Sequence, residues 1–94
     1  MSWEITIRRQ TRNEPSAHVL AAWNHPSTIT DVSMEAGEGV RRSSFGGASR
    51  REMAEWSKPL EGVFRWSDDL AEPQVILRWT DEDGSHAQAV TIDD

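Results

Sequence analysis

The chain has no cysteine, no tyrosine, a single lysine and no long run of apolar residues. The absence of cysteine excludes disulfides, thiolate metal sites and a cysteine nucleophile. Without a long apolar run, the sequence offers no bilayer-spanning helix and no apolar segment of the kind that directs export. We therefore expect a cytoplasmic protein that makes no membrane contact.

Large apolar side chains are also scarce. Leucine, isoleucine, valine and phenylalanine make up 17 of the 94 residues, just under the level of about 20% at which disorder becomes a concern. Five tryptophans offset this shortage, since each can bury about 150–250 Å². We expect residues 1–94 to form a single small domain with a thin core.

Charge is unevenly distributed along the chain. Residues 1–51 carry a net charge of +2 and residues 52–94 a net charge of −8, which gives −6 for the whole chain. An acidic protein lacks the positive footprint that sequence-independent binding to nucleic acid requires. We therefore expect no direct contact with nucleic acid.

Four segments alternate apolar and polar residues with the period of a half-buried β-strand. These segments are Trp3–Arg9, His18–Trp23, Thr28–Met34 and Gly62–Trp66. The turn Asn24–Ser27 joins the second segment to the third, so the pattern predicts that these two strands form a hairpin. Four tryptophans fall on the predicted apolar faces and are expected in the core: Trp3, Trp23, Trp66 and Trp79.

The last third of the chain predicts a second hairpin. Asp83-Gly84 is a favoured two-residue turn, and alternating segments flank it on both sides. Pairing about this turn sets Val75 opposite Ile92 and Leu77 opposite Val90, so the apolar faces of both strands coincide. It also sets Asp81 opposite His86.

A short helix is expected between the third and fourth alternating segments. Ser49 and Glu52 have the spacing of a capping box, and Met53 and Trp56 lie three residues apart, as on one helical face. About six strands and one short helix predict a mostly β fold, either an antiparallel β-sandwich or a partly open barrel. The architecture is like that of immunoglobulin and fibronectin domains, although a chain without tyrosine lacks their tyrosine corner.

A glycine-, arginine- and serine-rich segment at about 35–49 predicts a mobile loop. It contains no lysine for a phosphate-binding loop, and Arg42 stands where a dinucleotide fingerprint has its third glycine. Nucleotide binding is therefore not expected. Two interpretations stay open, namely a basic arm that docks onto a partner and a simple linker between strands.

The sequence contains little that predicts catalysis. Its three histidines lack metal-binding spacing, and the acidic stretch from Thr80 to Ser85 lacks the flanking ligands of a calcium loop. Asp81, His86 and Ser85 could be drawn as a triad, but an exposed turn has no water-excluding pocket. We expect no enzymatic activity, no metal and no cofactor.

The sequence favours a non-enzymatic protein-binding module that uses the basic glycine-rich loop as its contact surface. The candidate partner-binding residues are Arg41, Arg42, Phe45, Arg50, Arg51 and Trp56. One alternative is a self-assembling subunit whose basic loop meets the acidic half of another copy. A second alternative is an acidic DNA mimic, which requires seven acidic residues on one face: Glu61, Asp68, Asp69, Glu72, Asp81, Glu82 and Asp83.

Overall fold

A computed structural model describes residues 3–9, 14–43, 49–54 and 58–92, and of residues 49–51 it describes the main chain only. These residues form eight β-strands and no helix. The strands are β1 (Trp3–Arg8), β2 (Ser16–Trp23), β3 (Ile29–Ala36), β4 (Val40–Arg42), β5 (Ser49–Met53), β6 (Leu60–Trp66), β7 (Gln74–Asp81) and β8 (Gly84–Thr91). No helix in the described part of the chain is long and apolar enough to cross a membrane.

The strands form two antiparallel sheets of four strands each. The first sheet has the order β1-β2-β6-β4 and the second the order β5-β3-β7-β8. Apolar side chains from both sheets meet in one core, as in a β-sandwich. The mostly β prediction is confirmed, whereas the expected six strands and one helix differ from the eight strands observed.

Alternation along the strands builds this core. In β2, four side chains are buried (Ala17, Val19, Ala21 and Trp23) and the residues between them are half-buried. Across the two sheets, the residues buried in the core are Trp3, Ala17, Val19, Ala21, Trp23, Ile29, Val32, Met34, Val40, Met53, Leu60, Phe64, Val75, Leu77 and Ile92. Three of the four tryptophans expected inside lie in or against the core close to one another, and Trp66 packs against it half-buried.

The predicted hairpin of β2 and β3 is wrong. β2 pairs with β1 and β6 in the first sheet, whereas β3 pairs with β5 and β7 in the second. The turn between them therefore carries the chain across the core, a distance of about 10 Å between packed sheets. The Trp23 indole N–H donates to the Ser27 carbonyl at 2.7 Å and holds this crossing turn. Two strands that each have one apolar face can bury those faces by facing each other across the core, and they need not pair within one sheet.

The predicted helix after Ser49 is also wrong. Residues Ser49–Met53 form β5, an antiparallel edge strand on β3 in which Met53 pairs with Ile29. Met53 is buried in the core. Pairing and burial of this kind override a weak local helix preference.

The β7–β8 hairpin is confirmed as an element, but its register differs by two residues from the prediction. Val75 lies opposite Val90, and Asp81 lies opposite Gly84, so the turn is formed by residues 82 and 83. The Asp81 carboxylate accepts the main-chain N–H of Asp83 at 2.8 Å, and this bond closes the turn one residue earlier than Asp83-Gly84 would. A shift of two residues keeps each side chain on its face.

Candidate functional site

The glycine-rich segment is in part regular structure. Glu35 and Ala36 end β3, Val40–Arg42 form β4 on the edge of the first sheet, and Ser49 begins β5. A turn precedes β4, in which Val40 N–H donates to the Gly37 carbonyl at 3.1 Å and Gly39 has a φ of 77°. Residues 44–48, the centre of the predicted loop, lie outside the described part of the chain.

Arg42 connects β4, the edge strand of the first sheet, to β3 of the second sheet. Its Nη2 donates to the Met34 carbonyl of β3 at 2.7 Å, and its guanidinium carbon lies 5.9 Å from the centroid of the Phe64 ring. Because Met34 is in the second sheet and Phe64 in the first, this side chain covers the opening between them. The Arg42 side chain therefore has a structural role, because its contacts hold β4 to the second sheet.

Arg41 points the other way, onto the outer face of the first sheet. It lies directly opposite Arg65 of β6 in the antiparallel register, and both residues are exposed. Like charges directly opposite each other destabilise a sheet. Among the described residues, neither guanidinium lies within ion-pair distance of a carboxylate.

Two shallow clefts flank this pair of arginines. One is lined by Glu14, Pro15 and Ser16 together with Arg41, Arg65 and Trp66; the other is lined by residues 39–41 and 65–67. Trp66 borders both clefts and is half-buried, and its main-chain N–H donates to the Pro15 carbonyl at 3.0 Å. We call Arg41, Arg65 and Trp66 together the two-arginine surface.

The structure separates the other residues of the sequence-based site. The main chain of Arg50 and Arg51 lies in β5, on the edge of the second sheet, while Arg41 and Arg42 lie on the edge of the first. Phe45 and Trp56 lie outside the described residues. The sequence-based site omitted Arg65, because only the pairing of β4 with β6 brings it opposite Arg41.

Asp81 and His86 come together, but without a nucleophile. His86 Nε2 lies 2.9 Å from Asp81 Oδ1, although the two residues are diagonal neighbours rather than register partners. The hydrogen bond from His86 lowers the pKa of the Asp81 carboxyl. Ser85 is adjacent to His86 in β8 and so faces the opposite side of the sheet, where its hydroxyl lies 3.4 Å from that of Thr80. The three side chains therefore do not form a triad.

The acidic residues required by a DNA mimic are dispersed. Asp68, Asp69 and Glu72 precede β7, whereas residues 81–83 follow at its far end, on the order of 23 Å away along an eight-residue strand. Glu61 lies on the outer face of the first sheet, 3.1 Å from His18 Nε2. In the described ranges, no group of three acidic or histidine side chains is placed to hold a metal ion.

These features define a two-sheet antiparallel β protein with a basic, tryptophan-bordered surface at one sheet edge. Comparison of the chain with protein-family models, with curated proteins and with solved structures gives no match in any of the three.

Proposed function

We propose that this protein is a non-enzymatic protein-binding module, and that the two-arginine surface takes an acidic segment of the partner. The observation that carries the proposal is the pairing of Arg41 with Arg65 on an exposed face. Two arginines directly opposite each other in an antiparallel pair repel each other, and a bound carboxylate turns that repulsion into attraction. The forked guanidinium matches the two oxygens of a carboxylate.

The composition of the surface supports a protein partner. Tryptophan and arginine are enriched among the residues that dominate protein–protein binding. Trp66 borders the clefts that flank both arginines, while its side chain packs against the core with the Arg9 guanidinium carbon 5.6 Å from its ring centroid. The surface is basic within a chain of net charge −6, so it differs locally from its surroundings. Such a contrast steers an acidic partner to this edge.

The remaining residues of the sequence-based site extend this proposal. Phe45 follows β4 by three residues in the sequence, and the main chain of Arg50 and Arg51 belongs to β5, on the edge of the second sheet. In this proposal they and Trp56 lengthen the contact with the partner beyond Arg41. Arg42 contributes indirectly, because it holds β4 against the second sheet. We place the module in the cytoplasm, as its lack of cysteine suggests.

The proposed fold type is an immunoglobulin-like sandwich with one exchange. In such domains one sheet has the order A-B-E-D, the other adds C′ beside C-F-G, and C′ precedes D along the chain. Here β4 occupies the position of D and β5 the position of C′, so their chain order is reversed. This exchange places Arg41, one of the two paired arginines, on the strand that follows β3 directly.

The test is binding of a fluorescein-labelled oligoglutamate peptide, measured by fluorescence anisotropy at low salt. The double variant Arg41→Gln with Arg65→Gln should bind about two- to thirtyfold more weakly, since two exposed ion pairs at roughly 0.2–1 kcal/mol each correspond to that range. The control double variant, Lys58→Gln with Arg78→Gln, removes the same charge from other parts of the molecule. Its affinity should stay close to that of the wild type.

Three outcomes contradict the proposal. If the wild type does not bind the peptide, the proposal of an acidic partner is wrong. Equal weakening of both double variants shows that the peptide senses only the net charge. Unchanged affinity of the Arg41/Arg65 variant moves the contact elsewhere. A Trp66→Phe variant then separates the aromatic contribution from the electrostatic one, because its expected loss of affinity persists at raised salt.

A further inference from the structure

Within the described part of the chain the two sheets have four edge strands, and one of them differs from the other three. β1, β4 and β5 are six, three and five residues long, and each contains charged side chains. β8 is eight residues long and contains no aspartate, glutamate, lysine or arginine. Natural proteins protect sheet edges by shortening them or by placing charges on them. β8 has neither protection.

The main chain of β8 is half paired. It pairs with β7 along its full length, and no strand of the described chain pairs with its other side. Ile92 N–H donates to the Pro73 carbonyl at 2.8 Å. This bond shows which residues of β8 form hydrogen-bonded pairs with β7, because such pairs alternate along an antiparallel strand. The even-numbered residues of β8 therefore bond to β7, and the N–H and C=O groups of Ala87 and Ala89 point away from it.

The side chains of β8 leave this edge accessible. Ser85, Ala87 and Ala89 are small and exposed on the outer face of the second sheet. On the inner face, His86 stacks on Trp79 with ring centroids 5.5 Å apart, so it lies over the sheet and away from the edge. An approaching strand therefore meets main-chain groups without a bulky or charged obstacle.

We propose that the occupant of this edge is a second copy of the chain, with β8 antiparallel to β8 across a two-fold axis. The pairing joins two four-stranded sheets into one of eight strands and satisfies the outward main-chain groups of both copies. A two-fold axis sets each strand against itself, so an edge with like charges would repel its copy. β8 is the one edge strand of the four without charged residues to repel.

The acidic turn, residues 81–83, and the net charge of −6 determine how this dimer depends on salt. Each turn lies at the end of its own β8, and both copies are acidic, so long-range repulsion opposes association. Screening this repulsion strengthens a dimer that is held by main-chain hydrogen bonds. A contact between the two-arginine surface and an acidic segment has the opposite dependence, because salt weakens attraction. The β8 dimer is independent of the proposed partner binding.

The experiment is sedimentation equilibrium of the wild type over a range of concentrations, at physiological and at raised salt. Ala87→Pro removes an outward N–H and leaves the β7–β8 bonds in place, and Ala89→Lys puts a like charge on each copy. Each variant should weaken dimerisation about tenfold or more. Circular dichroism and thermal unfolding report whether each variant folds. At raised salt, where charge repulsion is screened, the Arg41/Arg65 double variant should dimerise as the wild type does.

Hydrogen exchange gives an independent measurement. The amides of Ala87 and Ala89 should become protected as concentration rises, while that of Gln88, which already bonds to β7, should change little. A wild type that stays monomeric overturns the proposal and leaves the edge to a foreign strand. A dimer that persists in a folded Ala87→Pro and a folded Ala89→Lys variant overturns it as well. So does a dimer that dissociates as salt rises.

Discussion

Replacing Arg42 by alanine tests whether this side chain holds β4 of the first sheet to β3 of the second. The change removes the 2.7 Å bond to the Met34 carbonyl and the contact with the Phe64 ring. A hydrogen bond from a charged donor contributes about 1.5–3 kcal/mol, and an exposed cation–π contact about 0.5–1 kcal/mol. The side-chain entropy recovered in the variant, up to about 2 kcal/mol, opposes both. We expect a net loss of about 1–2 kcal/mol.

The assay is urea unfolding followed by tryptophan fluorescence, with Arg41→Ala as the matched control. Arg41 has the same charge and lies in the same strand, but it faces solvent opposite Arg65. Its removal relieves a like-charge contact, so its effect should stay within about 0.5 kcal/mol. In thermal unfolding, Arg42→Ala should lower Tm by about 5–15 °C. Equal destabilisation by the two variants would show that Arg42 has no special structural role.

Two further predictions concern the second sheet. The hydrogen bond from His86 lowers the pKa of the Asp81 carboxyl, so the stability it contributes is present above the ordinary carboxyl pKa and is lost as pH falls through the folded pKa. In a carboxyl NMR titration, His86→Ala should raise the pKa of Asp81 and leave the lowered pKa of Asp69 unchanged; an unmoved Asp81 would contradict the assigned cause. Gly37→Ala places a methyl carbon 2.5 Å from the Gln74 carbonyl oxygen, and should lower the free energy of unfolding by about 1–3 kcal/mol. An unchanged urea midpoint would contradict this expectation and show that the main chain near Gly37 shifts to accept the methyl group without loss of stability.

The positions of most strands were well predicted from the sequence, whereas the pairing of β2 with β3 and the helix after Ser49 were not. Alternation located β1, β2 and β6, because a strand half-buried on one face repeats its apolar residues with a period of two. The same pattern identified the two strands of the β7–β8 hairpin and the face that each buries. The actual turn is closed by a hydrogen bond that the Asp83 main-chain N–H donates to the Asp81 carboxylate, whereas residue preferences alone favoured the neighbouring position.

The candidate site required information that no local pattern contains. Nothing in the order of residues states that β4 pairs with β6, and this pairing alone sets Arg41 opposite Arg65. The sequence placed four arginines on one loop. The fold instead directs Arg42 to the Met34 carbonyl and Arg41 to solvent, because adjacent residues of a strand face opposite sides.

Composition and alternation by themselves determined that this protein is mostly β, that tryptophans supplement a thin core, and that no disulfide supports it. The tertiary structure decided which strands are neighbours, which strands remain edges, and therefore which charges and main-chain groups face solvent. The physical reason is that an apolar face can be buried against any other apolar face of suitable size. Several pairings of the same strands satisfy that requirement, and the choice among them depends on contacts between residues far apart in the chain.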